Sequence, residues 1–242
     1  MPEFKAKATG IDNYVDNGRV AARIVKVETP NGFSFAPGQF VMIAIPGVMN
    51  TVVKGQLKWA SMSIASTPKD KGFIELGMDD GEPEGVRHYV CSKLKLGEEI
   101  MVKGPFGRFV MNGNEQELVF IALGTGITPI MGMVRELLNT GSKKKIVLFY
   151  SIKNSNLYLF GKELEELAEK FKNFELITTV TRNDASWKGE RGRLQEHFSR
   201  FDFGNKQAKT FFICGSPKGV IEIIDALKSL GFKEDQIKKE QW

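Results

Sequence analysis

The hydrophobic rhythm of this 242-residue chain changes once, near residue 112, and that change restricts it to two unlike parts. Before it, apolar and polar residues alternate in short runs: Val20–Val27, Gln39–Ile45, Ala60–Ser66, Phe73–Met78 and Glu99–Lys103. Alternation with period two is the mark of a half-buried strand. Thr29-Pro-Asn-Gly32, Pro37-Gly38 and Pro68-Lys-Asp-Lys-Gly72 supply the turns. About six short strands separated in this way predict an antiparallel barrel or sandwich, interrupted by one helix near Pro83–Leu94. After the polar stretch Asn112–Gln116 the pattern becomes strand-then-helix. Leu118–Leu123, Lys145–Tyr150, Phe174–Thr181 and Thr210–Cys214 lead into Pro129–Leu138, Leu157–Phe171, Leu194–Ser199 and Lys218–Leu230, and Gln236–Trp242 can close as a last strand. Strand–helix units in series imply a parallel sheet with right-handed crossovers. The expected organisation is an α+β two-domain chain: an antiparallel six-stranded β-barrel over 1–112 and a parallel α/β, Rossmann-like domain over 113–242.

Composition excludes several classes. A hydrophobic content of 42% with 26% charged residues is that of a folded chain. No apolar run approaches the ~20 residues that cross a bilayer, and the first residues, Met1-Pro-Glu-Phe-Lys-Ala-Lys, resemble no secretory signal; the expected location is cytoplasmic. Cys91 and Cys214 form no CxxC pair, and His88 and His197 are the only histidines. That is too few ligands for an internal iron–sulfur cluster or a zinc site, so no metal is expected. A net charge of +5 fits an ordinary lysine-rich surface as well as an anionic nucleotide or acidic partner. No aromatic-plus-basic pattern points to nucleic acid.

The segment Val119–Ile130 carries the clearest chemistry. An apolar strand breaks at Gly124-Thr125-Gly126 and restarts as a helix through Ile130, Met133, Val134 and Leu137. Glycines let backbone approach a ligand closely, and a helix start offers unpaired N–H groups to phosphate. The pattern is GxGxxP, with Pro129 in the third position; such turns also occur for packing alone. Cys214-Gly215 ends another strand, at the edge where α/β sheets meet ligands.

Taken in order, Ser61-Met-Ser-Ile-Ala-Ser66, Gly85-Val-Arg-His88, Gly104-Pro-Phe-Gly107, Gly124-Thr-Gly-Ile-Thr-Pro129 and Cys214-Gly-Ser-Pro217 resemble the ferredoxin–NADP reductase family of flavoproteins over nearly the whole chain. The resemblance implies FAD, with FMN the weaker choice, and NADPH or NADH as substrate. It assigns flavin contacts to Met62, Ser63 and Ile64, with Ser63 near the reactive N5. The family motif Arg-x-Tyr-Ser has Ala60 in place of arginine and Met62 in place of tyrosine here. Gly85, Val86, Arg87 and His88 match the helix start that holds the flavin diphosphate, with His88 replacing a hydroxyl residue. Lys58 or Arg87 is a candidate for the missing phosphate charge, though each reads more readily as a solvated surface cation.

For the second half the resemblance places Gly124, Thr125, Gly126 and Pro129 against the nucleotide diphosphate. Cys214, Gly215 and Glu240 fall at the nicotinamide, and Trp242 either covers the flavin ring or packs as a last-strand aromatic. Thr181-Arg182 stands where NADPH-using members often have Ser-Arg, with Lys153 and Arg191 nearby in sequence. No acidic residue follows Tyr150 immediately, so NADPH is the favoured nucleotide. The implied reaction, with Ser63, Cys214 and Glu240 as its catalytic residues, carries hydride from the nucleotide to bound flavin and then electrons to a ferredoxin, flavodoxin or other electron-transfer protein. Two alternatives stay open: a reductase of free flavin, to which Ser63–Leu76 is also similar, and a nucleotide-binding subunit of a larger redox complex, with or without flavin.

Overall fold

The computed structural model describes residues 2–241, so the contact expected of Trp242 lies outside the described residues. In the first half, strands β1 (Glu3–Asp16), β2 (Arg19–Glu28), β3 (Phe40–Ala44), β4 (Ala60–Ser63), β5 (Phe73–Asp79) and β6 (Glu99–Phe106) flank one helix, α1 (Val86–Ser92). They form an antiparallel sheet in the order β4-β3-β6-β1-β2-β5. A bridge between Ile64 and Leu76 ties its two edges into a nearly closed six-stranded barrel. Its core holds Val25, Val27, Val41, Ile43, Met62, Ile64, Ile74, Leu76, Ile100 and Val102, with Val86, Val90 and Leu94 of the helix region packed beneath. The longest strand, β1, is the one the alternation did not reveal. Its two buried side chains are Ala6 and Ala8, and alanine gives little hydrophobic contrast against the lysines around it.

The second half contains β7 (Glu117–Leu123), α2 (Ile127–Asn139), β8 (Ile146–Ile152), α3 (Gly161–Lys170), β9 (Phe174–Val180), β10 (Glu190–Arg191), α4 (Leu194–Phe198), β11 (Lys209–Gly215), α5 (Pro217–Ser229) and β12 (Ile237–Gln241). The strands run parallel in the order β10-β9-β8-β7-β11-β12. Residues 118–122 of β7 and 146–150 of β8 are buried without alternation, as expected of strands covered on both faces. Phe149, Phe198, Phe203, Phe211 and Phe232 pack edge-on or tilted on one face, with neighbouring ring centres 4.7–6.2 Å apart. The N-terminal edge of the sheet is locked by ion pairs, Lys209 with its register partner Glu117 and Lys238 with Glu115 at 2.9 Å. Helix α3 begins four residues later than the pattern predicts, because Ser155–Leu157 forms a separate tight turn and Phe160 adopts a left-handed φ of 57°.

Two compact units result, residues up to Val110 together with Met131–Glu136, and Met111–Ile130 with Leu137 onward. Within the first, Met131–Glu136 lies on the backbone of Ile64–Ser66. A methyl on Gly132 would sit 3.1 Å from two of their carbonyl oxygens. Arg135 donates to the Ala65 carbonyl at 2.9 Å and pairs with Glu75, which also meets Lys26 at 3.5 Å.

Candidate flavin and nucleotide sites

On the barrel, β4 follows the alternation of an antiparallel strand. Ser61 and Ser63 face outward, while Met62 is only 3% exposed and belongs to the core. Ser61 donates to the Met42 sulfur at 3.0 Å. The half-buried Ser63 hydroxyl has no hydrogen-bond partner among the described residues, which leaves it available to a ligand. Ile64, the next residue, is fully buried and anchors the strand end through its N–H to the Gln39 carbonyl.

Helix α1 opens at Gly85, whose backbone is extended and which offers no side-chain cap. The first amides of the helix are therefore left to an anion, as a diphosphate requires. Val86 is buried beneath them. The two basic side chains there are engaged: Arg87 pairs with Asp79 at 2.6 Å, and His88 Nδ1 meets Asp80 at 2.8 Å. Arg87 thus answers a protein carboxylate rather than standing as an uncommitted cation, and Lys58 forms no ion pair among the described residues. The uncapped amides and the unpaired Ser63 hydroxyl fit an FAD; the phosphate side has backbone donors where the family has an arginine.

In the α/β unit the C-terminal ends of β7, β11 and β12 lie in register, with Ala122 opposite Cys214 and Cys214 opposite Glu240. The two glycines of the turn do different work. A methyl on Gly126 would overlap the Cys214 carbonyl, so this glycine lets two strand ends close on each other. Gly124 has a left-handed φ of 58° and open space where its Cβ would be, so its backbone is the part a ligand can approach. Thr125 is half-buried, and its carbonyl accepts the Thr128 hydroxyl at 2.8 Å, tightening the entry to α2; Pro129 is buried in the first helical turn.

Cys214 is fully buried, and burial, helped by the neighbouring Glu240 charge, holds its thiol well above the usual range. It is a neutral, unreactive thiol. Both cysteines are free and buried, and burial together with Asp80 pushes Cys91 up to about 12. Glu240 has one carboxyl oxygen buried without a partner among the described residues, and burial alone raises it to about 7. Gly215 continues the strand end against Leu123.

Farther along the same edge, Thr181 N–H donates to the Ile152 carbonyl and Arg182 N–H to the Lys153 carbonyl, each at 3.0 Å. Lys153, Thr181 and Arg182 therefore stand together and exposed where the chain leaves β8 and β9. Arg191 is also exposed, but its guanidinium is tied to the carbonyls of Asp184 and Trp187 at 2.7 and 2.6 Å. The residue that sequence reasoning missed is Asp184. Its carboxylate accepts the Ser155 N–H at 2.7 Å, the Ser186 N–H at 3.0 Å and the Ser186 hydroxyl at 2.6 Å. An aspartate in the polar run Asn183-Asp-Ala-Ser186 carries no periodic signal; only the pairing of β8 with β9 brings it to Ser155.

Two family models match this chain in the order of its units: an oxidoreductase FAD-binding domain over residues 19–111 and an oxidoreductase NAD-binding domain over 120–226. The γ subunit of sulfhydrogenase 1 from Pyrococcus furiosus is 32% identical over 216 residues, covering 87% of this chain and 69% of that subunit. The chain belongs to the ferredoxin–NADP reductase family of FAD- and NAD-binding oxidoreductases. The reductase component of phenol 2-monooxygenase from Pseudomonas sp. strain CF600 is 29% identical over 210 residues, 84% of this chain and 56% of that protein. This family member thus spans little more than half the length of that relative. Its fold matches a ferredoxin–NADP+ reductase from Neisseria gonorrhoeae with bound FAD and NADP at a TM-score of 0.83 and 18% identity, over 99% of this chain and 98% of the other. Among the described residues no helix is long and apolar enough to cross a membrane, and no cluster of three His, Cys, Asp or Glu could hold a metal ion.

Proposed function

We propose that this chain is the NAD(P)H-oxidising flavoprotein unit of an electron-transfer system, delivering electrons to a separate acceptor. The observation that carries this reading is the alignment of Gly124, Cys214 and Glu240 at one sheet edge, with backbone open to a ligand at Gly124. In this reading Gly124, Thr125 and the first amides of α2 bind the nucleotide diphosphate, with Gly126 and Pro129 shaping the turn. Cys214, as a neutral thiol, and Gly215 form a small, uncharged seat for the nicotinamide. Glu240, close to half-protonated near pH 7, offers an acceptor and a donor to its carboxamide. On the barrel, Ser63 presents a hydroxyl to the flavin, and Gly85–His88 hold the diphosphate through backbone N–H groups. When bound, FAD supplies hydride acceptance and one-electron release.

The acceptor in this proposal is a ferredoxin, a flavodoxin or a partner subunit of a larger redox complex. Relatives named as the reductase component of a monooxygenase and as a subunit of a sulfhydrogenase support a dedicated partner. A second reading, flavin used as a passing substrate, is favoured by one observation. Ala60 brings no charge, and Arg87 already answers Asp79. The visible spectrum of the purified protein, followed by anaerobic titration with NADH and NADPH, tests both. Retained yellow flavin that bleaches on titration supports the bound-flavin unit. Folded, colourless protein that nevertheless turns over added FAD or FMN supports the second reading, and inertness towards both flavins and nucleotides defeats the proposal.

A further inference from the structure

We infer that Asp184 selects NADH over NADPH by seating a fixed carboxylate among the donors that a 2′-phosphate would need. This rests on the nucleotide reading above and goes beyond it in naming the substrate. At the β8 and β9 ends of a parallel sheet, beyond the diphosphate turn, an α/β unit receives the adenosine half of a dinucleotide. The two coenzymes differ there by one dianionic group, whose recognition needs N–H, O–H or cationic partners without a competing anion. The donors are present in this chain: the Ser155 amide where the chain leaves β8, and the Ser155 and Ser186 hydroxyls, 3.0 Å apart. The Asp184 carboxylate already takes the Ser155 amide and both the amide and hydroxyl of Ser186. Those hydrogen bonds, the Ser186 hydroxyl first, hold the acid well below the usual carboxylate range, so the charge is permanent at neutral pH.

Arg191 does not offset this charge by reaching outward, since it holds the carbonyls of Asp184 and Trp187 and so fixes the loop that presents the acid. Trp187 locks the same loop, donating its indole N–H to the Glu190 carbonyl at 2.8 Å and standing edge-on to Tyr158. Lys153 and Arg182, exposed at the same strand ends, attract either coenzyme by charge, and the Asp184 carboxylate opposes that attraction at the 2′ position alone. Asp184 is the group that tells them apart. Its remaining lone pair is matched to a ribose 2′-hydroxyl, which donates where a phosphate cannot.

The test is calorimetric binding of ADP and 2′,5′-ADP to the holoprotein, together with kcat/KM for NADH and NADPH. Wild type is expected to prefer ADP and NADH. Asp184→Asn keeps an acceptor for the Ser155 amide and removes the charge, and is expected to shift the preference toward the 2′-phosphate by about tenfold or more. Ser186→Ala, which loosens the same loop but keeps the charge, is expected to retain the NADH preference. Equal wild-type affinity for ADP and 2′,5′-ADP, or an equal shift in both variants, overturns the role of Asp184 while leaving nucleotide binding intact. Binding of neither ligand overturns the nucleotide reading with it.

Discussion

The barrel and the α/β unit prepare their candidate ligand contacts from different materials. In the barrel the decisive groups are side chains on a strand, with Ser63 turned outward and Met62 turned into the core. In the α/β unit they are largely backbone, at a glycine turn and three strand ends held in register. A site built from backbone leaves a stable trace in sequence, because only glycine permits the close approach. A site built from side chains can exchange one chemistry for another. Ala60, Met62 and His88 all depart from the family's pattern, yet uncapped amides at α1 still offer an anion its donors.

The largest expected effect separates the two units by stability. Arg135 and Glu75 form an ion pair in which each side chain is only 12–13% exposed, and Arg135 also holds the Ala65 carbonyl just after β4. Removing one member of a buried pair leaves the other uncompensated. Arg135→Ala should therefore cost about 3–5 kcal/mol in denaturant unfolding, moderated by Lys26 beside Glu75. Replacing both residues by apolar ones of similar volume should recover most of that loss. If the single variant unfolds like wild type, the pair does not secure the strand.

The next effect lies in the α/β unit. Gly126→Ala forces a methyl against the Cys214 carbonyl, a backbone atom that cannot swing aside. Overpacking of this kind should cost about 3 kcal/mol and displace the proposed nicotinamide seat. Gly124→Ala is the internal contrast: its methyl meets open space, so only the left-handed backbone strain, about 1 kcal/mol, should appear in unfolding. Nucleotide affinity should nonetheless fall if the proposed site holds, because the methyl fills the open space at Gly124. Equal unfolding losses in both variants would remove the distinction between a packing glycine and a binding glycine.

The same contrast explains what was legible in the sequence. Strand–helix periodicity gave the α/β order correctly because β7 and β8 are continuous apolar runs bounded by glycine and polar turns. The barrel was legible as a class, but β1 was not visible as a strand, since Ala6 and Ala8 fill its inward positions where larger residues would have announced it. Helix boundaries shifted where local backbone intervened, at the tight turn before α3. Lys153, Thr181 and Arg182 can be named as candidates from sequence because they lie directly after strand ends. Asp184 was not, because its meaning comes from the amide of Ser155, 29 residues away. Charge read along the chain favoured NADPH; charge placed in space adds a carboxylate to that edge, and the two coenzymes are thereby open to direct comparison.

The smallest effect concerns pH, and it again sets the units apart. Glu240 on β12 is the carboxyl group raised by burial, from 4.5 to about 7, and its buried oxygen has no partner among the described residues. Because the folded-state value is raised, the folded chain keeps a proton that the unfolded chain releases above about pH 4.5. The stability linked to that proton is complete below the unfolded value and is lost as pH rises through about 7. Glu240→Gln keeps a neutral, hydrogen-bonding side chain at all pH values. The stability difference between variant and wild type should therefore grow by about 1–3 kcal/mol between roughly pH 5 and pH 8, in favour of the glutamine. The barrel offers a control in Glu75, whose carboxylate faces Arg135 and Lys26 rather than an apolar edge, so Glu75→Gln should destabilise the chain at pH 8 where Glu240→Gln stabilises it. Opposite signs at one pH would show that a buried carboxylate's partners, more than its burial, decide whether its charge supports the fold; a flat profile for Glu240→Gln would mean that water reaches the carboxyl and that the β11–β12 edge is more open than its packing implies.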